Sequence, residues 1–258
     1  MTLEKKIEKI SVLLPTRGRI KTTHGNFPEQ LILSAEETCD DFNSIEFVFY
    51  VDEDDSDTRE YFENLDYDNV KFICGERIVL SEMWNVCYRN ASGDILFHCG
   101  DDIRFRTKGW DKVVRDKFDE VEDKILFAFG DDGKRHPGSF GTHGFIHKRW
   151  ADTVGYFVPP YFSCDYGDKW LNDVAKAISC RNVNRWVYLD IYTEHIHPRA
   201  HIDRNPALEK KYIYDKTHLE RLERNKEANN KELYSKYSQE RKRDIKKLKG
   251  VIKQSQYR

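Results

Sequence analysis

No run of about 18 apolar residues occurs in the 258-residue chain, so the sequence offers no membrane-spanning helix. Met1 to Lys9 is charged and lacks the apolar stretch of a secretory signal. The six cysteines, Cys39, Cys74, Cys87, Cys99, Cys164 and Cys180, include no C-x-x-C pair, which argues against a zinc site or a redox pair. Most of them sit in apolar contexts and read as reduced core thiols. Internal repeats and low-complexity linkers are missing as well. These absences lead to the expectation of a cytoplasmic protein of one large domain, or one domain with an appendage.

An excess of one charge sign is also lacking, since the formal net charge is only −2. That balance hides an asymmetry. Residues 204–258 carry 17 Lys/Arg against 8 Asp/Glu, whereas the rest of the chain carries 26 against 37. An acidic body with a basic tail suggests a polyanion or membrane surface as the tail's partner, or a solvated helix. The expected division is a body of residues 1–203 and a basic helical extension of residues 204–258.

What is present is an alternation of short apolar runs and amphipathic stretches, the pattern of an α/β protein. Strands are expected at Ile10–Leu14, Ile45–Val51, Val70–Cys74, Ile95–Phe97, Ile125–Phe129, Phe145–His147 and Trp186–Tyr192. Helical spacing marks Pro28–Thr38, Thr58–Leu65, Leu80–Asn90, Gly109–Phe118, Lys148–Val154 and Trp170–Ile178. From Asn205 onward the chain reads as one or two long, mostly exposed helices.

Several strands end in residues that carry chemistry. The run Ile95-Leu96-Phe97 leads through Gly100 into Asp101 and Asp102, and in open α/β sheets ligands bind off the carboxyl ends of strands. Two carboxylates there can hold a hard divalent cation, whose usual enzymatic partner is a phosphate-bearing substrate. The same residues would also make an ordinary polar turn. Pro15-Thr16-Arg17-Gly18-Arg19 is a doubly basic loop able to approach a phosphate, or an exposed turn. Of the acidic cluster Asp52–Asp55, one carboxylate can accept ribose or base hydrogen bonds, and the remainder reads as solvated loop. Asp165 and Asp168 lie at the N-terminal end of a helix, where the helix dipole lowers a carboxyl pKa. Each is a modest base or merely a cap. His195 and His197 point the same way in an extended segment, and either could ligate a metal as neutral imidazole. Lys134–Gly144, with His136 and His143, reads as a flexible loop and a candidate lid.

The order of these pieces resembles nucleotide-sugar glycosyltransferases of the GT-A fold, in particular the large inverting family that includes cellulose and hyaluronan synthases. The likeness spans about Ile10 to Pro198. It is carried by the strand with Pro15-Thr16-Arg17, the strand ending in Val51-Asp52, Asn85 ahead of Ser92-Gly93-Asp94 and Asp101-Asp102, and Gly155-Tyr156-Phe157 followed by Gly167-Asp168-Lys169-Trp170-Leu171. The resemblance implies a mostly parallel, Rossmann-like sheet flanked by helices. It implies transfer of a sugar from a nucleoside diphosphate donor, of the UDP type, to an acceptor hydroxyl, with inversion and with Mn or Mg as cofactor. Pro15, Thr16, Arg17, Asp52, Asn85 and Asp101 would bind the donor. Asp101 and Asp102, with His195 or His197, would hold the metal. Asp168 would be the base, with Asp165 in second place. The first Asp of the family's Asp-x-Asp falls on Cys99, and the Glu before its catalytic Asp falls on Gly167.

The acceptor stays open between a hydroxymethylated DNA base, with the aromatic loop Tyr156–Phe162 stacking on an extruded base, and a saccharide stacked on the same rings. Two other classes compete. A sugar-phosphate nucleotidyltransferase would want a longer Gly-rich basic loop than Pro15–Arg19 provides. A non-enzymatic nucleic-acid-binding module would work through its tail.

Overall fold

Two strands, β1 (Ile10–Thr16) and β2 (Ile45–Asp52), are apolar along almost their whole length, and a strand can be so only when both faces are covered. The computed structural model, which describes residues 8–196 and 214–255, shows that covering. The remaining strands are β3 (Val70–Gly75), β4 (Ile95–His98), β5 (Ile103–Phe105), β6 (Phe127–Asp131), β7 (Gly144–His147) and β8 (Trp186–His195). They form one sheet in the order β3-β2-β1-β4-β7-β6-β8-β5. The strands β3, β2, β1 and β4 run parallel. Strand β7 is antiparallel to both β4 and β6, and β5 is antiparallel to β8, so only four of the seven pairings are parallel. The short strand β5 carries no signal that separates it from the turn after Asp102.

One face of the sheet is packed by α1 (Phe27–Thr38), α2 (Ser56–Glu63) and α4 (Trp110–Asp119) through Leu31, Ile32, Phe62, Trp110 and Phe118. The other is packed by α3 (Leu80–Asn90), α5 (Lys148–Val154) and α6 (Gly167–Ile178) through Met83, Trp84, Trp150, Trp170 and Val174. Side-chain caps start α1 and α2. Asn26 accepts from the Glu29 amide at the start of α1, with Pro28 in the first turn, and Asp55 accepts from Thr58 at the start of α2. The expectation of core thiols holds for Cys87 and Cys99 alone; Cys74 and Cys180 are exposed.

Among the described residues the C-terminal part forms three helices, α7 (Lys216–Glu227), α8 (Asn230–Lys236) and α9 (Ser238–Ser255). Their outer faces are exposed, but α9 packs on α5 and α6, and its Leu248 is fully buried. Leu248→Ala is therefore expected to cost about 2–5 kcal/mol, read as a lower urea midpoint at an unchanged slope. An unchanged midpoint would show α9 to be dispensable. The 1–203/204–258 boundary falls outside the described residues. Among those described, no helix is long and apolar enough to cross a membrane.

These helices also correct the reading of the aromatic loop. Phe157, Val158 and Phe162 are buried, Tyr161 stacks on Tyr237 with centroids 4.1 Å apart, and the Tyr156 hydroxyl bonds Asp244. The loop is part of the second core layer. Phe157 and Phe162 are not available to stack on a base or a sugar, and the half-buried Tyr156 and Tyr161 are engaged by Asp244 and Tyr237. The aromatic residues saturate one another because the C-terminal helices fold back over them.

Candidate active site

Because β1, β2 and β4 are parallel and adjacent, their carboxyl ends lie along one edge. A cleft of about 800 Å³ opens there. Thr16 ends β1, Asp52 ends β2, and Asp101 and Asp102 follow β4; all four line the cleft, as do Asp165, Asp168 and His195. Asp101 and Asp168 thus face one shared cavity. Pro15 and Arg17 line it as well.

Register explains how distant parts of the chain meet at Asp102. In the antiparallel β5–β8 pair Ile103 lies opposite His195, and the Ile196 amide donates to the Asp102 carbonyl at 2.7 Å. His195 Nε2 is thereby held 3.3 Å from Asp102 Oδ2. In the β4–β7 pair Gly144 lies opposite His98, which brings His143 to the same strand end. A Cβ on Gly144 would lie 2.3 Å from the Phe127 ring, so only glycine lets this segment sit flat on β6. The result is a cluster of Asp102, His143 and His195 with ligand atoms within 4.8 Å of one another. Both ring nitrogens of His143 are buried without a hydrogen-bond partner among the described residues. One carboxylate and two imidazoles at this spacing can hold a divalent cation.

The charges fit that use. Burial and the neighbouring His195 hold His143 well below its usual pKa, so its ring is neutral and has a lone pair to offer. Burial opposes the charge on Asp102, but His195 and Arg19 pull its carboxyl well below the usual range. Asp101 is different. Burial pushes it up to about 6 against the pull of Arg19. It accepts from Thr16 Oγ1 at 2.8 Å and from Arg19 at 3.3 Å. The three-donor cluster contains Asp102 and not Asp101. His197 lies outside the described residues.

The basic loop after β1 is largely engaged by carboxylates. Arg17 donates to Asp52 at 3.0 Å and also pairs with Asp54. Arg19 is buried and lies 2.9 Å from Asp215 as well as near Asp101 and Asp102. Asp52 is itself buried, and its Oδ1 has no partner among the described residues, leaving one acceptor without a donor at the end of β2. Asn85 is not among the residues lining the cleft. Its side chain bonds the backbone of Phe157 and Val158 and fixes the aromatic loop.

Asp165 is paired with Arg221 at 2.8 Å and with Asn225, both on α7. The Asp168 carboxylate accepts from the neighbouring Lys169 amide alone among the described residues, and neither Asp165 nor Asp168 caps α6. The expected lowering of the Asp168 pKa by the helix dipole does not occur. Burial wins and pushes it up to about 6, with Asp165 adding to the rise. Tyr166, two residues before it, has a left-handed φ of 78°. A Cβ on Gly167 would lie 2.9 Å from Val158 Cγ1, a steric reason for glycine where the resembling family has Glu.

Sequence reasoning missed two contributors. His143 lay in a segment read as a lid, and only the β4–β7 register identifies its place. The residues of α7, among them Thr217, His218 and Arg221, line the cleft although the helix read as an appendage.

No protein-family model and no curated protein sequence matches the chain. Solved structures do match. S. aureus TarS aligns with a TM-score of 0.51 and 14% identity over 81% of this chain and 41% of that one. S. aureus TarS 1-349 in complex with UDP-GlcNAc aligns with a TM-score of 0.53 and 16% identity over 82% and 64%. GalNAc-T7 with UDP, GalNAc and Mn2+ aligns with a TM-score of 0.55 and 9% identity over 75% and 45%. The chain thus spans less than half the length of the first and third. The likeness shows the fold, a GT-A-type α/β sheet flanked by helices.

Proposed function

We propose that this chain transfers a sugar from a nucleoside diphosphate sugar to an acceptor hydroxyl, with Asp168 as base. The observation that carries the reading is one cleft lined both by the three-donor cluster and by Asp168, a carboxyl with a raised pKa. The GT-A fold and the nucleotides bound by its structural neighbours support UDP-GlcNAc and UDP-GalNAc as the donors to test first.

Asp102, His143 and His195 would hold the metal. Two imidazole nitrogens favour Mn over Mg, which prefers oxygen ligands. A divalent cation bound there supplies charge that stabilises the departing nucleoside diphosphate. The unpartnered Oδ1 of Asp52 suits a base N–H or ribose O–H of the nucleoside. Asp168 takes the proton from the acceptor hydroxyl. The acceptor oxygen bonds to the anomeric carbon as the bond from that carbon to the phosphate oxygen breaks, with inversion at that carbon.

The packing of the aromatic loop bears equally on a saccharide and on a DNA-base acceptor and favours neither. The engagement of Arg17 and Arg19 by carboxylates disfavours the nucleotidyltransferase reading, which needs free cations for a triphosphate. The test is a thermal-shift series of nucleoside diphosphates with and without Mn2+. UDP with Mn2+ at about 100 times its Kd is expected to raise Tm by roughly 5–10 °C. No shift with any nucleotide would sink the reading.

A further inference from the structure

We propose that Arg221 of α7 is a donor-binding residue, held by Asp165 until the diphosphate of the donor takes over its guanidinium. This rests on the sugar-transfer reading above. A diphosphate entering the cleft meets carboxylates and needs cations; Lys134, Arg135 and Arg224 line it, and three further cations there are held by carboxylates. Arg17 is shared by Asp52 and Asp54, Arg19 by Asp101 and Asp215, and Lys169 is 2.8 Å from Asp173. Arg19 is buried and cannot leave its carboxylates without stranding them.

Arg221 differs in three ways. It lines the cleft. Its pair with Asp165 is part-exposed, with side-chain exposures of 34% and 41%, and such pairs contribute little to stability. Asp165 also keeps a second partner, Asn225, when the guanidinium departs. A planar guanidinium is suited to bridge two phosphate oxygens.

The mounting of α7 permits the exchange. Among its side chains only His218 is buried, while Leu219 and Leu222 are 51% and 37% exposed. Polar contacts tie the helix to the cleft: Asp215 to Arg19, Thr217 Oγ1 to the Arg17 carbonyl at 2.7 Å, and Glu220 to Arg77 at 2.6 Å. A shift of α7 toward a bound diphosphate therefore uncovers little apolar surface. Donor binding and the position of α7 become coupled.

The test is calorimetric binding of UDP with Mn2+ to the full chain and to R221A, D165N and the double variant, with Tm recorded for each. R221A is expected to weaken UDP by roughly tenfold or more, the loss of a charge-assisted contact. D165N is expected to tighten it, because the guanidinium no longer has to be released. Removing a negative charge also tightens binding through the field alone, so the decisive quantity is the comparison between backgrounds. The D165N gain should be at least about threefold larger with Arg221 present than in R221A. Equal gains in both backgrounds, or R221A binding UDP as the unaltered chain does, would overturn the exchange while leaving the sugar-transfer reading standing. Failure of the unaltered chain to bind any nucleoside diphosphate would overturn both.

Discussion

Asp168→Asn should lower sugar transfer by about 10²–10⁴-fold while leaving UDP binding nearly unchanged, because general-base catalysis contributes on that order and the diphosphate does not need the base. The pH profile provides the sharper check. A carboxyl raised to about 6 acts as a base only once deprotonated, so kcat/KM should climb through pH 6 and level off above it. The sign for stability is the reverse of the usual carboxylate case. Burial penalises the charged form, so the folded state holds its proton more tightly than the unfolded chain does. Stability is then lost as pH rises from the ordinary aspartate range through about 6. D168N, which cannot ionise, should match the unaltered chain near pH 4 and exceed it in Tm near pH 8. A variant that is both less active and more stable only at the higher pH identifies a half-buried base. Equal loss of Tm at both pH values would instead mark Asp168 as structural.

The second large effect concerns the metal. Treatment with EDTA should abolish transfer, and Mn2+ should restore it better than Mg2+, given two imidazoles in the donor set. His143→Ala should raise the Mn2+ concentration for half-activation by at least about 100-fold, since even outer partners of ligands cost up to that much. His98 lines the same cleft but is outside the three-donor cluster, so His98→Ala should shift the Mn2+ requirement far less. Equal shifts for both variants would remove His143 from the ligand set. An Asp101→Asn variant separates the two adjacent carboxylates. Asp101 is held by Thr16 and Arg19 and is not in the cluster, so its loss should weaken UDP more than Mn2+.

The strands and most helices were legible because burial on two faces demands unbroken apolar runs and burial on one demands 3.6-residue spacing. The chemistry at the tips of β2 and β4 was legible for a related reason, since carboxylates just past a buried strand stand out against it. Asp102 and His195 were both visible, although 93 positions separate them. Their meeting, 3.3 Å apart, depends on the β5–β8 pairing, and β5 has three residues that read as turn. Local spacing also misjudged Asp168. The helix dipole is a local effect and burial is not, and burial sets the direction of its pKa.

The sequence by itself determined the sheet's central strands, the flanking helices and the carboxylates that crown β2 and β4, since each is written in contiguous residues. Tertiary structure alone decided that His143 joins Asp102, that α7 walls the cleft, and that the aromatic loop is core. Those outcomes rest on strand register and on helices folding back from the far end of the chain, and neither leaves a periodic trace in the residues concerned.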